Sequence, residues 1–252
     1  MTAVSIAGVT KVFNEGRPDE VTALSDVDLT VESGQFVSLI GPSGCGKSTL
    51  LRLIADLIAP TLGDVRVAGK PADQARRDQE YGIAFQQAGL FEWRTVRRNV
   101  ELPLELRKIP RQQRRTRAEE MLALVGLGDF GGHYPAQLSG GMQQRVAIAR
   151  ALAVHPNLLL MDEPFGALDE MTRERLQAEL LQICSKMHTS TVFVTHSISE
   201  AVFLSDKVVV MSARPGRITT TIDIELGERN EAVRQSTAYF DHVTAVRKAL
   251  RS

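Results

Sequence analysis

The chain has little cysteine, a single tryptophan, no excess charge of either sign and no long apolar run. Thirty basic residues balance thirty acidic ones, so nothing global draws it to nucleic acid or to an anionic membrane. Cys45 and Cys184 do not make a disulfide framework, and a reducing cytoplasm is the simplest home. No stretch approaches the roughly 18 apolar residues of a membrane-spanning helix. If the protein works at a membrane, other chains must cross it. Residues 1–6 lack the basic start and apolar core of a signal peptide, so none is expected. Low-complexity tracts and internal repeats are also missing. A length of 252 residues suits one large α/β domain or two small ones.

What is present centres on Gly41, Pro42, Ser43, Gly44, Cys45, Gly46, Lys47, Ser48 and Thr49. These residues fit G-x-x-x-x-G-K-[ST]. They follow the apolar, β-branched run 36–40 and precede helical spacing over 50–55, the strand–loop–helix context that pattern needs. The glycines let backbone N–H groups curl round a phosphate, and the new helix adds its positive dipole end. Lys47 is expected to reach the β- and γ-phosphates, and the Ser48 hydroxyl to complete a Mg²⁺ shell. A thiol at such a helix start is expected to be reactive. Alkylation of Cys45 should then block nucleotide binding, with MgATP protecting it.

Residues 3–12 and 24–31 read as an antiparallel pair of strands around the turn-rich 14–20. Phe13, at the edge of that loop, either stacks on a flat base or packs the loop, and the residues alone leave both open. Residues 63–69 read as a short strand closing on a turn, and 81–85 as a buried strand with Gln86 at its end. Residues 89–110 include Trp93 and are apolar but weakly periodic, which suits ordinary packing or a docking surface. The arginine-rich run 107–117 leads into a helix over 114–125 and reads as a solvated face.

Ser139, Gly140 and Gly141 precede an alanine-rich helix and form a capped, anion-receptive start. Two such starts are hard to use on one nucleotide within one chain; a second copy resolves the difficulty. The apolar strand 158–161 delivers Asp162 and Glu163, whose side chains are expected to diverge through the two-residue period of a strand. One carboxylate is then free for a metal and its neighbour for a water. Asp169 precedes a helix over 171–187, in which Cys184 reads as a packed core thiol. His196 emerges from the buried strand 191–195, and strand ends of parallel sheets are where ligands bind. A helix over 199–204, strands over 207–212 and 218–224 separated by a turn at 214–217, and a helical stretch over 231–250 complete the chain. Alternating strands and helices imply an α/β fold with a mostly parallel sheet covered on both sides.

In this order the motifs resemble those of the ABC (ATP-binding-cassette) ATPases. Residues 41–49 are similar to the Walker A motif, Gln86 to the Q-loop and 138–143 to the signature helix start. Residues 158–163 are similar to Walker B with its glutamate, 167–169 to the D-loop and His196 to the switch histidine. Met142 stands where the signature usually has glutamine. The likeness covers roughly residues 4–225. Residues 137–145, 195–204 and 212–218 narrow it to the nitrate, taurine, aliphatic-sulfonate and pyrimidine-precursor importer group.

The resemblance implies a single nucleotide-binding domain over 1–252. It would have a P-loop core, an N-terminal antiparallel β part, an inserted helical lobe over about 87–138 and a helical tail over about 226–252. It also implies ATP and Mg²⁺ as cofactors, with Ser48, Gln86 and Asp162 around the metal. Glu163 is the expected general base and His196 a γ-phosphate contact. Ser139, Gly140 and Gly141 are expected to hold the nucleotide of a second copy, and Asp169 of the D-loop is an expected nucleotide-binding residue. Implied partners are that second copy, integral-membrane permease subunits and, indirectly, a periplasmic or lipid-anchored solute-binding protein, with no nucleic acid. The implied location is peripheral, on the cytoplasmic face of the inner membrane. A cassette in DNA repair or translation is the competing expectation. The single cassette, with Lys47 and Asp162 only 115 residues apart, argues against it.

Overall fold

The computed structural model describes residues 1–251. β1 (Thr2–Phe13) and β2 (Val21–Glu32) pair antiparallel. In β2 the alternation is clean: Val27, Leu29 and Val31 face inward while Asp28, Thr30 and Glu32 face out. After β3 (Phe36–Ile40) and α1 (Lys47–Ile54), β4 (Leu62–Val67) and β5 (Lys70–Pro71) return to this sheet, giving the order β2-β1-β4-β5.

The second sheet follows α2 (Ala72–Arg77). β6 (Tyr81–Ala84), then α3 (Val96–Leu106), α4 (Arg111–Leu124) and α5 (Gly140–Leu152), lead to β7 (Leu158–Asp162). Next come α6 (Glu170–Met187), β8 (Ser190–Val194), α7 (Ile198–Leu204), β9 (Lys207–Met211), β10 (Ile218–Asp223) and α8 (Thr237–Ala249). The order is β10-β9-β3-β8-β7-β6, with β9 through β6 parallel and β10 antiparallel at the edge.

β3, β7 and β8 are buried at every position. Their side chains divide between two cores by the period of the pleat. Val37, Leu39, Val192 and Val194 join α1 and the antiparallel sheet on one face. Phe36, Ile40 and Phe193 join α3 to α8 on the other. There Phe193 lies 5.8 Å from Phe36 and 5.7 Å from Phe165, ring centre to ring centre. A central sheet packed on both faces is the base from which the loops at its carboxyl edge project.

Several local expectations change. The phosphate-loop helix starts at Lys47 rather than residue 50. The weakly periodic 89–110 contains α3, begun by Thr95, whose hydroxyl accepts from Arg98 N, and carrying Pro103 internally. The arginine run is not simply a solvated face. Arg107 donates to Val154 O, and Arg117 to Ala153 O and Leu152 O, so both satisfy carbonyls at the end of α5. The stretch 231–250 is two pieces, a 3₁₀ turn Ala232–Gln235 and then α8. The Ser236 hydroxyl accepts from Tyr239 N and restarts the helix.

Candidate functional site

Four parallel strands end in loops that meet. The glycine loop follows β3, Gln86 lies just beyond β6, Glu163 follows β7 and His196 follows β8. A cavity of about 560 Å³ opens there, lined by Phe13, Ser43, Gly44, Gly46, Lys47, Ser48, Thr49, Gln86, Glu163, His196 and Arg214, with Val21 and Ala23 at its wall. It lies outside the carboxyl ends of the strands, where ligands of open α/β sheets bind.

Gly46 takes φ 100° at the start of α1, a backbone that glycine adopts without strain. A Cβ on Gly41 would stand 2.7 Å from Met211 O, so only glycine lets the loop leave β3 against β9. Lys47 is buried, and its ammonium donates to Gly41 O at 2.8 Å and Pro42 O at 3.0 Å. The loop thus carries its own cation on its floor. Cys45 differs from expectation. The residue is 1% exposed and belongs to the core under α1, where its Sγ lies 3.7 Å from the Lys47 ammonium on the inner side of the loop. A reagent cannot reach that thiol without opening the loop, and the expected ready alkylation is withdrawn.

Ser48 Oγ donates to Asp162 Oδ1 at 2.9 Å. Burial raises the Asp162 pKa, against the lowering effect of the Ser48 hydrogen bond, and the neighbouring Glu163 charge raises it further. Glu163 diverges from Asp162 for a different reason than pleat alternation. The strand ends at Asp162, and Glu163 takes φ 46°, a left-handed backbone uncommon for a side chain of this size. Its N–H donates to Val194 O at 2.9 Å, which holds that turn against β8. The carboxylate stands 3.1 Å from His196 Nδ1 and 3.5 Å from Gln86 Nε2.

This set can do one kind of chemistry. A backbone nest and a lysine take a polyphosphate, while a carboxylate fixed beside a histidine can polarise a water at its far end. Among the described residues no cluster of three or more His, Cys, Asp or Glu could cage a metal. The Ser48–Asp162 pair fits Mg²⁺, which typically takes one or two carboxylates and completes its shell with phosphate oxygens and water. Phe13 ends β1 at the rim, 38% exposed, with Lys11 Nζ 5.1 Å from its ring centre.

The remaining residues selected from the sequence do not join this cavity. Ser139 caps α5, accepting from Met142 N at 3.3 Å, and with Gly140, Gly141, Met142, Arg145 and Asp169 lines a separate cavity of about 400 Å³. Asp169 caps α6 through Thr172 N at 3.0 Å. Gly141 packs on the loop before α6, where a Cβ would stand 3.1 Å from Ala167 O. Sequence reasoning missed Arg214 and Glu200. Arg214 follows β9, whose place beside β3 in a parallel sheet was the available signal. Glu200, 9% exposed, accepts from Thr195 Oγ1 at 2.6 Å and so supports the end of β8, from which His196 projects.

A parallel sheet with a phosphate loop on an inner strand, and with acid and histidine converging on it, defines a P-loop nucleotide hydrolase. Residues 24–166 match the family model described as ABC transporter, and the chain belongs to that family. It is 50% identical over 223 residues to an uncharacterized ABC transporter ATP-binding protein of Methanocaldococcus jannaschii, covering 88% of this chain and 82% of that one. It is 45% identical over 234 residues to a nitrate import ATP-binding protein of Synechocystis, covering 93% and 87%. A solved dimeric ATP-binding cassette in a post-hydrolysis state bound to ADP and Pi superposes with a TM-score of 0.81. That match has 36% identity over 89% of this chain and all of that one. The chain is the ATP-binding, ATP-hydrolysing subunit of an ABC transporter. No described helix is long and apolar enough to cross a membrane.

Proposed function

We propose that the chain energises an importer as a head-to-tail pair of identical subunits at the inner face of the cell membrane. The observation that carries this is the split of the machinery. The Lys47 cavity and the Ser139 cavity share no lining residue, and each presents a helix start suited to phosphate. Two copies related by a two-fold axis place the Ser139, Gly140, Gly141 and Asp169 surface of one over the nucleotide held by the other. The nitrate-importing relative and the dimeric cassette support this reading.

In the paired state backbone N–H groups of the glycine loop and Lys47 hold the β- and γ-phosphates, and Phe13 stacks on the adenine. Ser48, Gln86 and Asp162 would hold Mg²⁺, which supplies neutralising charge on the phosphate oxygens. Glu163 accepts the proton of the attacking water as general base. His196, 3.1 Å from Glu163, orients that carboxylate and faces the γ-phosphate. Closure on ATP and release after hydrolysis form a two-state element that a permease can use. The permease docks on residues 86–103, where Trp93 is 74% exposed and stacks on Phe91 with ring centres 4.8 Å apart. The solute is a small one of the nitrate, sulfonate or pyrimidine-precursor kind, selected by the permease and its binding protein.

The test is Glu163→Gln. It is expected to bind ATP, lose about 10²–10⁴-fold in turnover and accumulate an ATP-dependent dimer on gel filtration. More than about a tenth of normal turnover, or a monomer in saturating ATP, overturns the assignment. Co-purification of the tagged chain with a polytopic permease from native membranes tests the importer reading. Soluble DNA-repair or ribosomal partners would leave the ATPase standing and remove the import.

A further inference from the structure

We propose that Arg214 is a second cation for the bound nucleotide, contacting its phosphates from the flank of the glycine loop opposite His196. This rests on the nucleotide reading of the cavity and adds a residue to it. The sheet order β9-β3-β8 carries the placement. The glycine loop leaves β3, His196 leaves β8 on one side and the turn 212–217 leaves β9 on the other. Both neighbouring loops therefore border the phosphate site, and both project a side chain into it.

The turn is held as a fixed platform. Ser212 N donates to Arg217 O at 2.9 Å and Arg217 N to Ser212 Oγ at 3.0 Å, while Ser212 Oγ donates to Pro215 O at 3.2 Å. Gly216 is clamped to β2: its N–H donates to Ala23 O at 2.9 Å, and Ser25 N donates to Gly216 O at 3.0 Å. The Gly216 backbone also lies so close to the glycine loop that a Cβ there would stand 1.9 Å from Cys45 O. Platform and loop are therefore packed backbone against backbone.

The Arg214 guanidinium stands out from this platform. Its Nε and Nη2 share Gly44 O at 3.4 and 3.3 Å, both long contacts to a single neutral acceptor. Among the described residues it forms no ion pair within 4.0 Å. A guanidinium carries five N–H donors, so most of its capacity and all of its charge are left for a ligand in the cavity it lines. The chemistry that suits it is a phosphate, which arginine grips with two donors. Lys47 below and Arg214 beside then share the polyphosphate charge.

The plain alternative is that Arg214 only ties down Gly44 O. Arg214→Gln separates the two readings, because glutamine keeps an N–H donor for that carbonyl and loses the charge. Binding is measured in the full chain carrying Glu163→Gln, so that hydrolysis does not interfere. Arg214→Gln is expected to raise Kd for MgATP and MgADP by about 10-fold or more, the range of a charge-assisted hydrogen bond. Arg214→Lys, which keeps the charge and loses the two-donor grip, is expected to recover only part of that, and the loss to shrink as salt rises. The apo melting temperature should stay within about 1 °C, since the side chain makes only exposed contacts. Unchanged Kd in Arg214→Gln with a normally binding parent overturns this assignment alone. So does an equal loss in the lysine and glutamine variants. A parent that binds neither nucleotide overturns the nucleotide reading and this assignment with it.

Discussion

Gly216→Ala tests whether the β9–β10 turn and the phosphate loop are mechanically one unit. The added methyl would lie 1.9 Å from Cys45 O and 3.2 Å from Leu24 Cδ2. Carbon–oxygen contacts rarely close below about 3.3 Å, so the backbones must part by roughly 1.4 Å. Neither yields readily. Gly216 is hydrogen-bonded on both sides to β2, and Cys45 sits in a loop closed by Cys45 N to Pro42 O and by Leu50 N to Gly46 O. Overpacking of this kind costs about 1–3 kcal/mol, and in a chain of this size each kcal/mol lowers Tm by about 2–4 °C. If the phosphate loop gives way, a shift near 1 Å costs about 10²-fold in turnover. The assay is thermal unfolding followed by circular dichroism, together with steady-state MgATP hydrolysis. Gly132→Ala is the control, because a Cβ there meets nothing within 4 Å. If Gly216→Ala matches that control within about 1 °C and keeps kcat/KM within about twofold, the coupling argument fails.

Three further outcomes follow from buried groups. Burial pushes the Tyr81 phenol up to about 12, and it donates to Ala55 O at 2.6 Å. Its folded value lies above the unfolded one near 10, so the stabilisation is complete below pH 10 and is lost as pH rises through 12. Phenolate absorbance of the chain compared with its Tyr81→Phe variant should show the Tyr81 phenol ionising at about 12; ionisation near the free value of about 10 would contradict this. Cys45 and Cys184 are 1% and 6% exposed, and burial pushes Cys184 up to about 11, so a maleimide should label neither at pH 8 until denaturant is added. Fast labelling of native Cys45, blocked by MgATP, would show that the loop opens. Glu200→Ala should lose about 1–3 kcal/mol through the partners it orphans, and turnover should fall with it. Glu200→Gln should recover most of both, and equal behaviour of the two variants would refute the role assigned to the acceptor.

The parallel sheet and the loops at its carboxyl edge were legible because both rest on local signals. The leucine-rich run 158–161, too short for a helix of its own, fits a strand covered on both faces, and glycine spacing announces a phosphate loop. Where the sequence misled, a distant partner decided. Arg107 and Arg117 read as solvent-facing charge, yet their guanidinium groups reach carbonyls at and just beyond the end of α5, some 35 to 47 residues away. Cys45 read as an activated thiol, yet the side chain opposite the phosphate nest falls into the core formed by β2 and α1. Period-two reasoning separated Asp162 from Glu163 correctly in effect and wrongly in cause. The left-handed turn at Glu163 depends on a hydrogen bond to Val194, which lies in another strand.

The same distance argument applies to what steers His196. Glu200 accepts from Thr195 Oγ1 at 2.6 Å and Gln177 Nε2 at 3.2 Å, with Arg173 Nε at 3.7 Å. Arg173 in turn donates to Leu168 O at 2.7 Å, one residue before Asp169. From behind, Arg234 donates to Gln177 Oε1 at 2.6 Å, with its guanidinium 3.5 Å from the Phe203 ring centre. One buried carboxylate thus joins the strand end that carries His196, the loop that carries Asp169 and the segment before α8. Displacing the strand end alone breaks the Thr195–Glu200 bond and leaves both partners buried and unpaired, at about 1–3 kcal/mol. A shift of all three together keeps every bond. The lower-energy motion is therefore the collective one. It links His196 in the Lys47 cavity to Asp169 in the Ser139 cavity, through side chains that line neither.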